Sequence, residues 1–372
     1  MKLYEYILRR LILMVFVLIA VSIIVFYLTR GVLPPTFALA PYITPRMNDA
    51  TKLGLAVGLG VATKSCPSWT AFGQQQVGCV VPLYQQYFSW LENVLKGNWG
   101  YSLLPDIGAG QTTLGLFASR FPATAELAIA GAILTIIIAL PMGIISATRN
   151  NKIPDHVSRI VALTGYSMPV FWLAFILQIV FVIYVRVNNS GVLPSNGLIS
   201  TTCGLCFSNI GTIRSVTGIP VFDAIISGNP SYFWDSLAAL ALPAITLSFS
   251  TLGALTRIVR SSMMDCLRQD YILLARSKGL VERTVIYRHA LKNALLPAIT
   301  ISGLILAALL GGVVVVEYVF SWPGIGVAAL SASLYVDINF LELYTLVTAL
   351  IIVLSNLVVD VLYAVLDPRI RY

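Results

Sequence analysis

Six stretches of this chain, 11–29, 124–148, 160–185, 237–256, 295–316 and 343–366, contain only two charged residues between them, Glu126 and Asp360. Each is long enough to cross a hydrocarbon core of about 30 Å as a helix. Charged residues make up only 11% of the 372, against about 25% in soluble domains. The expectation is an all-α integral membrane protein with six transmembrane helices. The first run follows Lys2, Arg9 and Arg10, and Ala38-Leu39-Ala40 mimics a cleavage site, as in a signal peptide. Its apolar length exceeds the usual ~7–15 residues of such a segment, so it reads as a retained helix. The net charge of +8 is read as positive-inside bias and not as nucleic-acid binding.

The basic residues set an orientation. With the N-terminus inside, Lys2, Arg9, Arg10, Arg149, Lys152, Arg159, the eight Lys and Arg from Arg257 to Lys292, Arg369 and Arg371 all fall in cytoplasmic segments. The segment 317–342 has no Lys or Arg and falls outside, as the charge rule requires. Long segments 31–120 and 187–236 also fall outside. Both termini are then cytoplasmic. The organisation read from this is an N-terminal helix (1–30), an external segment (31–120) and a core (121–372) with a cytoplasmic loop at about 257–294.

Catalytic signatures are missing. HExxH and GxSxG are absent, and the two histidines, His156 and His289, offer no metal site. The stretch Gly58 to Ser65, GLGVATKS, fails as a phosphate loop because Thr63 stands where glycine must let the backbone approach phosphate. Polar groups inside the runs are few: Glu126, Gln178, Asn356 and Asp360, with the two acids near span ends and within reach of the interface. An ion-coupled carrier places ionisable groups near the midplane, so this shortage argues against one. Pro141, Pro169 and Pro243 remove backbone donors within the runs, through packing irregularity or to shape a pathway. Four cysteines, Cys66, Cys79, Cys203 and Cys206, lie in outside segments, where disulfides persist. Three pairings are possible. Proximity favours Cys66–Cys79 and Cys203–Cys206 over a four-thiolate zinc site, and Cys266 is inside and free. A lone sequon, Asn188-Asn189-Ser190, lies outside.

One segment breaks the apolar pattern. Tyr271 to Pro297, YILLARSKGLVERTVIYRHALKNALLP, carries Arg276, Lys278, Arg283, Arg288 and Lys292. Its composition favours helix, and Gly279 allows a sharp change of direction. Pro297 is expected at the first turn of the fifth span. Such a segment either lies on the membrane surface with its cations on lipid phosphate, or transmits force from a soluble partner.

The same stretch resembles the EAA loop of ABC importer permeases, through Tyr271, Ala275, Arg276, Lys278, Gly279 and Arg288 to Pro297. Other segments resemble the dipeptide/oligopeptide-type permeases in the same order: Tyr6 to Arg10, Pro82-Leu83-Tyr84, Gly97 to Ser102, Arg120 to Thr124, Pro169 to Trp172, Leu242-Pro243-Ala244, Phe320 to Gly326 and Leu366 to Tyr372. The resemblance implies a type I ABC importer transmembrane fold and no catalytic site in this chain. It implies a second homologous permease, two cytoplasmic ATPase subunits that bind ATP and Mg, and an external substrate-binding protein. It also implies the plasma membrane of a bacterium or archaeon. The coupling role falls to Tyr271, Ala275, Arg276, Lys278, Gly279 and Leu280, with Ala275 allowing close approach to the ATPase and Arg276 and Lys278 facing its acids. In EYVFSWPGIG, Glu317 to Gly326, the aromatics fit either a membrane-interface belt or an outer gate formed by Phe320, Trp322, Pro323 and Gly324. The same choice between belt or packing and a functional role applies to Trp69, Tyr84, Trp90, Trp99, Tyr101, Tyr232 and Trp234. Segment 31–81, segment 198–216 and Ala239, where relatives often have His, depart from the family pattern. The implied cargo is di- or oligopeptides, with oligosaccharides and nickel as further options. A secondary ion-coupled transporter and a membrane enzyme are the readings from other classes.

Overall fold

The computed structural model describes residues 3–32, 42–44, 46–76, 78–102, 110–188, 217–311 and 313–366, with single residues 34, 36, 39 and 104. Their regular structure is helical, with only two isolated bridges, Ala62 to Val80 and Tyr101 to Thr112, among the described residues. Among the described residues, five helices are long and apolar enough to cross a membrane: Ile7–Gly31, Thr113–Thr148, Pro230–Leu267, Glu282–Leu310 and Ile338–Val361. A sixth crossing requires the pair Ile153–Ser167 and Val170–Phe181, which is bent by 103°.

That bend corrects the expectation of one uninterrupted helix over 160–185. Pro169 has no N–H to donate, and Met168 before it is extended (φ −78°, ψ 127°), the conformation that a following proline imposes. The fifth run also differs. Its helix ends at Leu310, with Gly311 at the cap, and Val314–Val319 forms a separate short helix. Pro297 does not open that helix. It lies inside Leu291–Leu310, which continues Glu282–Thr284 and a π-helical turn, Val285–Ala290.

The chain divides into two compact units. The larger comprises Met1–Arg10, Pro122–Gly326 and Ile351–Tyr372. Its helices are labelled α5 (Thr113–Thr148), α6 (Ile153–Ser167), α7 (Val170–Asn188), α8 (Pro220–Ser227), α9 (Pro230–Leu267), α10 (Asp270–Ser277), α11 (Glu282–Thr284), α12 (Leu291–Leu310) and α13 (Val314–Val319). Helices α14 (Ile325–Leu334) and α15 (Ile338–Leu366) follow. Helix α9 is the axis: α6, α7, α8 and α12 all pack on it. It starts where Asn229 Oδ1 accepts the Tyr232 N–H (3.3 Å) and Pro230 fills the first position, a favoured start.

Small residues let these helices touch. A Cβ added to Gly253 of α9 would lie 2.3 Å from the Ala162 carbonyl oxygen of α6, and one on Gly165 of α6 would lie 2.5 Å from the Phe249 carbonyl oxygen. In lipid, dispersion at such close approaches replaces the hydrophobic drive between helices. At the chain's ends, Arg10 pairs with Asp360 (3.2 Å), so Asp360 has a protein partner. Glu126 is 7% exposed and accepts the Val221 N–H (3.0 Å). It caps the start of α8 and does not reach out to an interface.

The smaller unit comprises Leu11–Phe121 and Val327–Leu350. It contains most of α1 (Leu3–Phe26), α2 (Asp49–Gly58), α3 (Trp69–Gly73) and α4 (Leu83–Leu95). Asn48 and Ser68 cap α2 and α3 by accepting the Thr51 and Ala71 N–H groups. A small core of Leu39, Ala56, Val61, Ala62, Ala71 and Phe72 surrounds a disulfide between Cys66 and Cys79. Cys203 and Cys206 lie outside the described residues, as do the sequon's Asn189 and Ser190. The segment before the last span joins this unit through buried acids. Arg30 meets Glu342 (3.0 Å), Thr29 also donates to Glu342 (2.9 Å), and Ser102 donates to Asp337 (2.6 Å). Trp90 is buried against Phe26, with ring centroids 5.3 Å apart. Tyr84, Tyr101 and Trp234 are exposed.

Replacing Gly253 by Leu forces α6 and α9 apart, at about 1–3 kcal/mol for an overpacked contact. The purified chain should then unfold at a lower temperature than wild type, with Gly253→Ala in between, by thermal melting in detergent.

Candidate functional site

The segment Asp270 to Pro297 is built in two pieces, as its glycine suggests. Helix α10 ends at Ser277 and Gly279 follows at φ +76°. The Gly279 N–H donates to the Arg276 carbonyl (2.9 Å), and the Leu280 N–H to that of Ala275 (3.4 Å). This paired closure needs a left-handed residue at the glycine position. A side chain at Gly279 would meet nothing within 4 Å, so only the backbone demands glycine there.

The two faces of α10 differ. Ile272 and Ala275 are 0% and 6% exposed and pack with Val259, Met263, Val285, Ala290 and Ala294. The Tyr271 hydroxyl accepts from Asn293 Nδ2 (3.0 Å). These contacts fix α10 to α9 and to the base of α12. Within this chain Ala275 approaches its own core closely. Arg276 is paired within the chain, donating from Nε and Nη2 to Glu282 (3.2 and 2.7 Å). That carboxylate holds the Arg276 guanidinium above its ordinary pKa. The outward face is apolar and was missed from sequence: Leu273, Leu274 and Val281 are 64%, 57% and 72% exposed. Lys278 and Leu280 are exposed beside them. The unbroken apolar run was the available signal, since Ile272, Leu273, Leu274 and Ala275 point all round a helix and cannot all face one core.

A second cluster braces the neighbouring helix ends. The carboxylate of Asp155 on α6 is fully buried. It accepts from Ser146 of α5 (2.5 Å), the Asn151 backbone N–H (2.9 Å), Arg159 Nε (3.1 Å) and Arg260 Nε of α9 (2.9 Å), with Nη2 of Arg159 a further partner. Three helices are tied to one carboxylate, and α10 leaves α9 just beyond Arg260.

The loop Glu317 to Gly326 is buried too. Phe320 and Trp322 are each 1% exposed. They pack with Leu127, Leu242, Ala244 and Leu247, which overturns an interface belt for these two rings. Trp322 Nε1 donates to the Ala123 carbonyl (2.8 Å). Thr124 Oγ1 donates to Glu317 (2.7 Å) and accepts the Ile325 N–H (2.8 Å). A Cβ on Gly324 would lie 2.4 Å from both the Glu317 carboxyl and Thr124 Oγ1. Pro323 sits in the turn between them. Segments spread over about two hundred residues of sequence, at 122–124, 242–244 and 320–326, thus meet in one core. No group of three or more His, Cys, Asp or Glu suited to a metal ion occurs among the described residues.

These features define a multi-pass membrane protein whose basic loop carries a helix fixed on one face and apolar on the other. Residues 139–372 match the family model described as binding-protein-dependent transport system inner membrane component. The chain is 36% identical over 370 residues to the dipeptide transport system permease protein DppB of Alkalihalophilus pseudofirmus, covering 99% of both chains. It is 37% identical over 297 residues to the protein of that name in Escherichia coli K12, covering 80% of this chain and 84% of that one. It is 34% identical over 298 residues to the oligopeptide transport system permease protein AppB of Bacillus subtilis, with the same coverages. The chain belongs to this family of inner-membrane ABC-importer permeases, in its dipeptide/oligopeptide branch.

Substituting Asp155 by Ala leaves two arginines without their carboxylate. The cost falls below the about 3–5 kcal/mol of a fully buried pair, because Arg159 and Arg260 stay 41% and 20% exposed. The expected result is a lower melting temperature and faster hydrogen exchange in α10, with Asp155→Asn milder.

Proposed function

We propose that this chain forms half of the translocation pathway of an ATP-driven importer for di- or oligopeptides. It pairs with a second, homologous permease. Two cytoplasmic ATPase subunits bind ATP and Mg, and an external binding protein delivers the cargo. The chain crosses the membrane six times, with the bent α6–α7 pair as the third crossing and both termini cytoplasmic. The observation that carries this reading is the construction of α10. Its inner face is locked to α9 and α12, while Leu273, Leu274 and Val281 face outward with none of the described residues over them. A rigid helix with an apolar outer face suits a groove on a soluble ATPase.

Within that element Tyr271 and Ala275 anchor, Arg276 braces against Glu282, and Gly279 sets the turn that presents Lys278 and Leu280. Lys278 is left for an acidic group, worth at most about 1 kcal/mol at an exposed site. Shape therefore dominates charge in the coupling. The loop Phe320 to Gly324 acts at the outer gate through movement of the whole buried loop, since its rings are not free to swing alone. Peptides are the assigned cargo because the relatives at 34–37% identity are named for dipeptides and oligopeptides.

The test is uptake by vesicles holding the complete complex. Leu274→Asp should abolish most ATP-driven peptide uptake and loosen the ATPase, while the permease still inserts and melts as wild type. Uptake that survives ATP depletion but collapses with the ion gradient would instead select the ion-coupled carrier.

A further inference from the structure

Between α6 and α9 lies a cavity that the coupling reading does not use. The two helices run antiparallel and touch at Gly165 with Phe249 and at Ala162 with Gly253. At the other end the Asp155–Arg260 pair joins them (2.9 Å). Between these two contacts they leave a partly open cavity of about 140 Å³. Arg159, Arg257 and Arg260 line it, together with Ser146, Ser158 and Thr256.

Two observations mark it as built for an anion. First, the charges do not balance. Among the described residues Asp155 is the one carboxylate paired with these arginines, and it is shared by Arg159 and Arg260. Arg257 has no ion-pair partner among the described residues and rests over the Tyr166 ring, 5.5 Å from its centroid. One carboxylate against three guanidinium groups leaves an excess of two positive charges. Second, the cavity wall holds a stranded polar group. Thr256 is 2% exposed, and its Oγ1 is buried without a hydrogen-bond partner. Threonines in a helix usually donate back to the preceding turn, as Thr246 does to Leu242 (2.9 Å). A buried hydroxyl that forgoes this bond calls for another partner.

The surroundings choose the anion's source. Leu163 lines the cavity, and Val157 and Ile160 on the same helix are 53% and 64% exposed. A charged pocket bordered by an open aliphatic stripe suits a molecule with an anionic head and hydrocarbon tails. Basic pockets between transmembrane helices are recognised sites for such lipids.

We propose that this cavity binds the phosphate headgroup of an anionic phospholipid. Arg257 and Thr256 hold the phosphate, with the outer N–H groups of Arg159 and Arg260 completing the site and the acyl chains lying along Val157, Ile160 and Leu163. Under the proposed orientation the lipid belongs to the cytoplasmic leaflet. Because α9 leads directly to α10, its occupancy would stiffen the base of the coupling helix. The site itself does not depend on that reading.

The experiment uses the full chain in nanodiscs of phosphatidylcholine containing a minor fraction of phosphatidylglycerol or cardiolipin. Anionic lipid retained after detergent extraction is counted by native mass spectrometry, and the melting temperature is read with and without anionic lipid. Wild type should retain anionic lipid and melt higher with it. Arg257→Gln should retain about tenfold less, the loss of one charge-assisted hydrogen bond. Thr256→Val, which keeps the shape, should lose most of the anionic-lipid stabilisation while melting as wild type in pure phosphatidylcholine. Equal retention by wild type and both variants overturns the proposal. Displacement of the lipid by millimolar inorganic phosphate also overturns it, by assigning the site to a free anion. If Arg257→Gln does not fold, Thr256→Val and Arg257→Lys decide the matter alone.

Discussion

A buried carboxylate surrounded by donors is expensive to desolvate and is stable only when all its donors are in place. Asp155 is such a group. Its partners come from the end of α5, the turn at Asn151, α6 itself and α9. A single residue therefore fixes the mutual position of three helix ends. Helix α10 hangs from the last of them, and its inner residues Ile272 and Ala275 are buried against α9, the π-helical turn and α12. Displacement of α10 cannot be absorbed locally. It must pass into α9 and α12, and α9 carries most of the packing of the larger unit.

At the other end of α9 the same economy of contacts recurs. Leu242, Ala244 and Leu247 pack against Phe320 and Trp322, and Glu317 is held by Thr124 with no room for a side chain at Gly324. The helix thus links α10 to a buried loop through two cores. That linkage is the physical content of the transport mechanism proposed above: one rigid element whose two ends face different tasks.

Much of this was legible in the chain. Charge-free runs located the long helices because lipid leaves no alternative partner for backbone groups. Gly279 announced the break after α10, and the order of motifs identified the family. The bend at Met168–Pro169 was less visible because the apolar run continues through it, and composition does not report direction. Pro297 misled because a proline favoured at helix starts is also tolerated inside membrane helices. Ala275 and Arg276 were read as partner-facing from their place in a motif. The apolar run Ile272 to Ala275 shows that some apolar side chains must face out. Which of them do depends on packing of Ile272 and Ala275 with Val285 and Ala290, distant in sequence from the motif's first residues. Nothing in segment 317–342, which lacks Lys and Arg, announces that Glu317, Asp337 and Glu342 are buried. Their burial rests on Thr124, Ser102 and Arg30, far away in sequence.

The central claim is that the outward face of α10 is where a cytoplasmic ATPase docks. It is tested most directly by labelling single cysteines at Leu274 and Ala275, with Cys203, Cys206 and Cys266 replaced by serine. A membrane-impermeant maleimide should modify the Leu274→Cys variant only from the cytoplasmic side, and adding the ATPase subunits should protect it. The buried Ala275→Cys variant should react slowly under either condition. Labelling at position 274 from the external side, or labelling unchanged by the ATPase, would contradict the account.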